Sequence, residues 1–118
     1  MALTWSIDHD ARLVALEADG PLGQRDITRY MAEATARGAA GYRALFDARA
    51  AEFELGSSEI ANLSDMVRGR GTGAIAFVVS SEAEREMADH FARRTAGQRP
   101  CRVFSTVEDA RAWLDSQA

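Results

Sequence analysis

Few side chains in this sequence are placed to do chemistry. Ser57 and Ser58 belong to a stretch, Gly56-Ser57-Ser58-Glu59, that reads as a helix start. A serine there accepts a hydrogen bond from an unpaired N–H of the first turn, which is a capping role. The same place suits a phosphorylated serine, because a helix N-terminus favours added negative charge. Upstream, Asp47 is predicted to end the third strand. Ligands of open α/β sheets gather beyond the carboxyl ends of strands, so Asp47, Arg49, the 48–55 connection and Ser80-Ser81 are expected at such an edge. Within that connection, Phe53 and Leu55 alternate with Glu52 and Glu54. The apolar pair either folds into the core or forms a surface patch. The two acids are either solvated or available for acid–base work.

The remaining reactive groups are isolated. His9 falls in a predicted turn and His90 on a predicted helix, with no HxH, HExxH or CxxC spacing. A metal site needs several converging ligands, so none is predicted. Cys101 is a single thiol flanked by Arg99 and Arg102 and reads as a semi-buried structural cysteine. Gly69, Gly71 and Gly73 follow a helix and precede a strand. A phosphate-cradling loop has the opposite order, so these glycines read as a helix stop and a loop. No catalytic set and no cofactor site emerges.

The bulk composition bounds the function further. The chain has 118 residues, 47% of them hydrophobic and 27% charged. That fits one globular domain spanning residues 1–118. All 14 basic residues are arginine. Schiff-base and P-loop lysine chemistry is thereby excluded, and the bias fits a GC-rich bacterial genome. A net charge of −4 argues against nucleic-acid binding. One cysteine precludes an intrachain disulfide. The sequence shows neither a secretory signal nor a membrane span, so a cytoplasmic location is expected.

The elements that must position these residues follow from periodicity. Leu3, Trp5 and Ile7 alternate with polar residues, which predicts a half-buried strand. Asp8-His9-Asp10 turns into a second strand over 12–18, and Asp19-Gly20-Pro21 is expected to break it. Ile27, Tyr30, Met31 and Ala34 share one face of a helix ended by Gly38. Strands are predicted at 42–47, 74–79 and 101–104, with helices after Gly56, Ser81 and Thr106. Ser81 with Glu84 forms a capping-box pattern. The order β-β-α-β-α-β-α-β-α predicts an α/β fold. Its mixed sheet has about five strands and four helices, with the first strand antiparallel to the second.

This pattern resembles the SpoIIAA-like group within the STAS domains, the fold of anti-sigma-factor antagonists. The resemblance rests on the opening hairpin and helix, on a third strand ending in Phe46-Asp47, and on the run from Val103 to Leu114. It implies a non-enzymatic regulatory or protein-binding role. In those antagonists a phosphorylatable serine starts the helix after the third strand. Here Asp47 is followed by Ala48-Arg49-Ala50, and Ser57 and Ser58 stand at a different offset. Some SpoIIAA-like proteins also resemble lipid-binding domains, which implies an apolar cleft. Two readings result. One is a protein-binding domain whose contact surface comprises Asp47, Phe53, Leu55, Ser57 and Ser58. The other is a small carrier of a lipid or other apolar ligand, held between helices and sheet. Exposure of Phe53 and Leu55 would favour the first, and an apolar cavity the second. A homodimer is compatible with both.

Overall fold

The structure, a computed structural model, describes residues 2–67 and 71–117. Five strands form one sheet, in the order in which they occur in the chain. They are β1 (Leu3–Asp8), β2 (Leu13–Leu22), β3 (Arg43–Phe53), β4 (Ile75–Val78) and β5 (Cys101–Phe104). β1 and β2 form an antiparallel hairpin. The pairs β2–β3, β3–β4 and β4–β5 are all parallel. The helices are α1 (Gln24–Ala36), α2 (Ser57–Val67), α3 (Glu82–Thr95) and α4 (Val107–Ser116).

The strand order never reverses, so right-handed crossovers put α1, α2 and α3 on one face of the sheet. The core is split accordingly. On that face Val14, Leu16, Phe46, Ile75 and Phe77 meet Ala34 of α1 and Ala88 of α3. On the other face Leu45, Ala76 and Val78 meet Ala110 and Leu114 of α4. β4 lies between the two layers and is buried at every position, which explains its unbroken apolar run. α2 packs on α3 and α1 rather than directly on the sheet, through Leu63 and Val67 against Met31.

Two strands run longer than their sequences suggest. β2 continues through Asp19-Gly20-Pro21 to Leu22, where Pro21 pairs with Glu52. β1 ends opposite Ala18, so β2 is an edge strand beyond that point and tolerates a proline. β3 likewise continues past Asp47 to Phe53, and the expected irregular connection is mostly strand. Glu17 pairs with Asp47 but Asp19 with Ala50, so β3 carries one extra residue, a β-bulge. The extra residue reverses the alternation of side chains. Phe46 and Ala48 face the helices before it, and Ala51 and Phe53 face them after it.

The caps match the sequence at α3 and α4 and differ at α2. Asp26 accepts from the Gly23 N–H at the start of α1. The Ser81 and Thr106 hydroxyls accept from the N–H groups of Glu84 and Asp109. At α2 the cap position belongs to Gly56, not to a serine. The Gly56 carbonyl accepts from Ile60 N–H, and its own N–H donates to Glu59 Oε1 at 2.8 Å.

Candidate functional site

Between the sheet and helices α1, α2 and α3 lies an apolar cavity of about 100 Å³. Its floor is the helix-covered face of β3 and β4, where the Phe46 and Phe77 rings lie 5.6 Å apart. Phe91 of α3 stands edge-on to Phe77, also at 5.6 Å. Ile27, Tyr30 and Met31 come from α1, and Ile60, Leu63 and Val67 from α2. The space exists because large rings alternate with small side chains: Ala34, Ala40, Ala44 and Ala88 all line it. Phe53 and Leu55 are half-buried and complete the wall where β3 leads into α2. They reach the cavity because the bulge turns them toward the helices.

Among the described residues Arg99 is the one charged residue on the lining, and it is 6% exposed. Its guanidinium donates to the carbonyls of Gly73 (2.6 Å), Ala40 (3.1 Å) and Tyr42 (2.6 Å). These bonds join the α3–β5 connection to the segments that enter β3 and β4. Among the described residues no buried side-chain nitrogen or oxygen lacks a partner. The cavity therefore offers an apolar ligand shape and contact area, with few polar groups to be desolvated.

A second group gathers near the C-terminal ends of the parallel strands. Asp47 forms a two-pronged ion pair with Arg49, at 2.9 Å to Nε and 2.7 Å to Nη2. Hydrogen bonding from Arg49 holds the Asp47 carboxyl below its ordinary range, although partial burial opposes this. Ser80 Oγ donates to the Arg49 carbonyl at 2.7 Å. The structure thus brings Asp47, Arg49 and Ser80 together, as the sequence suggests. However, Asp47 lies within β3 rather than at its end. Its side chain shares the α4 face with Leu45, away from the cavity. A carboxylate engaged by a guanidinium at both oxygens makes a poor general base.

Ser57 and Ser58 are exposed in the first turn of α2. They adjoin Leu55 in sequence but lie apart from the Asp47 cluster by fold position. Glu52 and Glu54 are exposed, on the opposite side of the chain from Phe53 and Leu55.

The isolated groups take structural roles. His9 Nδ1 lies 2.7 Å from the Tyr42 hydroxyl on the surface. Cys101 Sγ lies 3.2 Å from Thr95 Oγ1, and burial pushes its thiol up. Among the described residues, no three His, Cys, Asp or Glu side chains cluster as a metal site. Of the three glycines, Gly69 lies outside the described residues, and Gly71 and Gly73 pack against Gly41. No helix among the described residues is long and apolar enough to cross a membrane.

The inward face of α1 is legible in the sequence, but the hollow beneath it is not. The available signal was the run of alanines at inward positions opposite phenylalanines.

Comparison with known proteins gives a fold and a family. No curated protein matches the chain. The chain is similar to the crystal structure of an uncharacterised protein of the DUF3478 family, with a SpoIIAA-like fold, from Shewanella loihica. The TM-score is 0.69 at 18% identity, over 96% of this chain and 94% of that one. At that identity the likeness concerns the fold. Residues 13–115 match the family model described as SpoIIAA-like, from the second strand of the hairpin to the last helix, and the chain belongs to the SpoIIAA-like family.

Proposed function

We propose that this protein is a non-enzymatic binding domain that holds a small apolar ligand between its sheet and helices α1 to α3. The observation that carries this reading is the cavity wall of Phe46, Phe53, Phe77, Phe91, Ile60 and Leu63. Phe53 and Leu55, the residues whose exposure would favour a protein contact, instead line that wall. The carrier reading is therefore preferred to the protein-contact reading. The cavity suits a compact ligand such as a short acyl chain or a single ring system. The free Cys101 thiol fits a reducing compartment.

A second reading retains the protein partner. Ser57 and Ser58 are exposed and are not needed as caps, which leaves both hydroxyls available for modification at the start of a helix that walls the cavity. In this reading a phosphate there alters a contact surface made by the start of α2.

Calorimetric titration with toluene, a single apolar ring, tests the first reading. Saturable one-to-one binding is expected, with near-UV circular dichroism unchanged. Ala34→Leu, which fills the cavity from α1, should weaken binding at least tenfold. Equal binding by the wild type and Ala34→Leu, or no saturable binding, would refute it.

A further inference from the structure

We propose that the outer edge of β1 pairs with β1 of a second copy of this chain, antiparallel and centred on Trp5, so that two sheets join into one. Three observations lead there.

The first is the direction of the free backbone groups. Asp19 N–H donates to the Ala2 carbonyl at 2.8 Å, so Ala2 and Asp19 form a hydrogen-bonded pair of the hairpin. Such pairs alternate along an antiparallel ladder. Thr4 and Ser6 therefore turn their backbone groups toward β2, and Leu3, Trp5 and Ile7 turn theirs outward. The outward groups need partners, and among the described strands none lies on that side.

The second is the character of the edge. From Leu3 to Ile7 the strand has no charge, no proline and no bulge against β2. Natural edges are normally blunted by such devices. The opposite edge is blunted: β5 has only four residues, contains Arg102 and follows Pro100.

The third is self-complementarity. A two-fold axis normal to the sheet keeps each side chain on its own face, so only residues of like parity can oppose each other. The outward hydrogen-bonding positions must also meet their counterparts. Centring on Trp5 satisfies both conditions. Trp5 meets the second copy's Trp5, and Leu3 meets its Ile7, as hydrogen-bonded pairs. Thr4 meets the second copy's Ser6 as a non-hydrogen-bonded pair. On the helix face Trp5 is half-buried and edge-on to Tyr30 at 5.4 Å, so a neighbouring apolar ring would extend an existing cluster. On the other face the opposed residues, Thr4 and Ser6, are small, exposed and uncharged.

The register can be tested at Thr4 and Ser6, which are exposed; Thr4 stands opposite Glu17 of its own hairpin, so the fold of each variant is checked together with its mass. Sedimentation equilibrium of the wild type should give twice the mass of the chain at micromolar concentration. T4E/S6E and T4R/S6R place like charges opposite each other, and each should be monomeric with an unchanged circular dichroism spectrum. Mixing the two should restore the dimer. In T4C/S6C the opposed thiols come within disulfide reach, since non-hydrogen-bonded pairs have the closer Cα atoms. Mild oxidation should cross-link that variant, and neither T4C nor S6C alone. A wild type that stays monomeric, charge variants that dimerise like the wild type, or cross-linking by either single variant would overturn the proposal.

Discussion

Arg99 Nη2 donates to the carbonyl of Tyr42 at 2.6 Å, a bond between positions 57 apart in the chain. With Gly73 and Ala40 also accepting from the same guanidinium, one side chain fastens three segments at the N-terminal end of the parallel strands. Replacing it by methionine keeps much of the volume but leaves three carbonyls without this donor. Arg99→Met should lower unfolding free energy by about 3 kcal/mol in urea denaturation. A loss below about 1 kcal/mol would mean that the carbonyls find other donors.

The glycines near this junction differ in what they tolerate. A Cβ on Gly71 would sit 2.4 Å from Gly41 Cα, and Gly71 also has φ +115°. Gly71→Ala should destabilise by about 2 kcal/mol or more, by clash and by strain together. Gly97 has open space around it and no positive φ. Gly97→Ala should raise stability by about 0.5 kcal/mol, through the unfolded chain. Thermal melts of the two variants should move in opposite directions.

The two sides of the sheet should respond differently to truncation. Leu114, 1% exposed, packs against Leu45, Ala76 and Val78. Leu114→Ala should cost about 3–4 kcal/mol. Leu63 borders the cavity, where part of its surface already lacks neighbours. Leu63→Ala should cost nearer 2 kcal/mol and change probe affinity, whereas Leu114→Ala should leave affinity per folded molecule unchanged. Denaturation and probe titration of the same two preparations check both statements.

Asp47 should leave a mark on the acid side of the stability profile. Its carboxyl is depressed in the folded state by the bonds from Arg49. The stabilisation is therefore fully present above the unfolded carboxylate range and is lost as pH falls through the folded value. Asp47→Asn should remove that contribution, giving a shallower loss of stability below about pH 4. Parallel acid titrations of the two proteins would disprove it if their slopes coincide.

Much of the fold was legible because periodicity, caps and turns agreed. Leu3-Trp5-Ile7, the uniform Ala74–Val79 run and the Ser81 and Thr106 caps each point to one local structure. What escaped depended on distant partners. Pro21 reads as a breaker, yet lies in a strand because β1 has already ended there. The bulge after Asp47 follows from pairing with β2, and no residue type announces it. Without it, Phe53 and Leu55 belong to a connection of unknown course. With it, they join a cavity wall. Gly56 took the cap expected of a serine because Glu59 reached back to its N–H. Arg99 looked like a neighbour of Cys101 in sequence, while its hydrogen-bond partners lie before β3 and β4.

The order of the sheet has a consequence for how the protein is made. Each strand pairs with the strand translated just before it, so the sheet can grow at the ribosome in the order of synthesis, by local steps that favour rapid folding. The two faces do not mature together. Helices α1 to α3 arrive between strands and cover their side as it forms. Leu45, Ala76 and Val78 must wait, bare to solvent, until α4 emerges after β5. A nascent chain stalled before α4 would carry a nearly complete sheet with one sticky side, which is the form that chaperones and aggregates would meet.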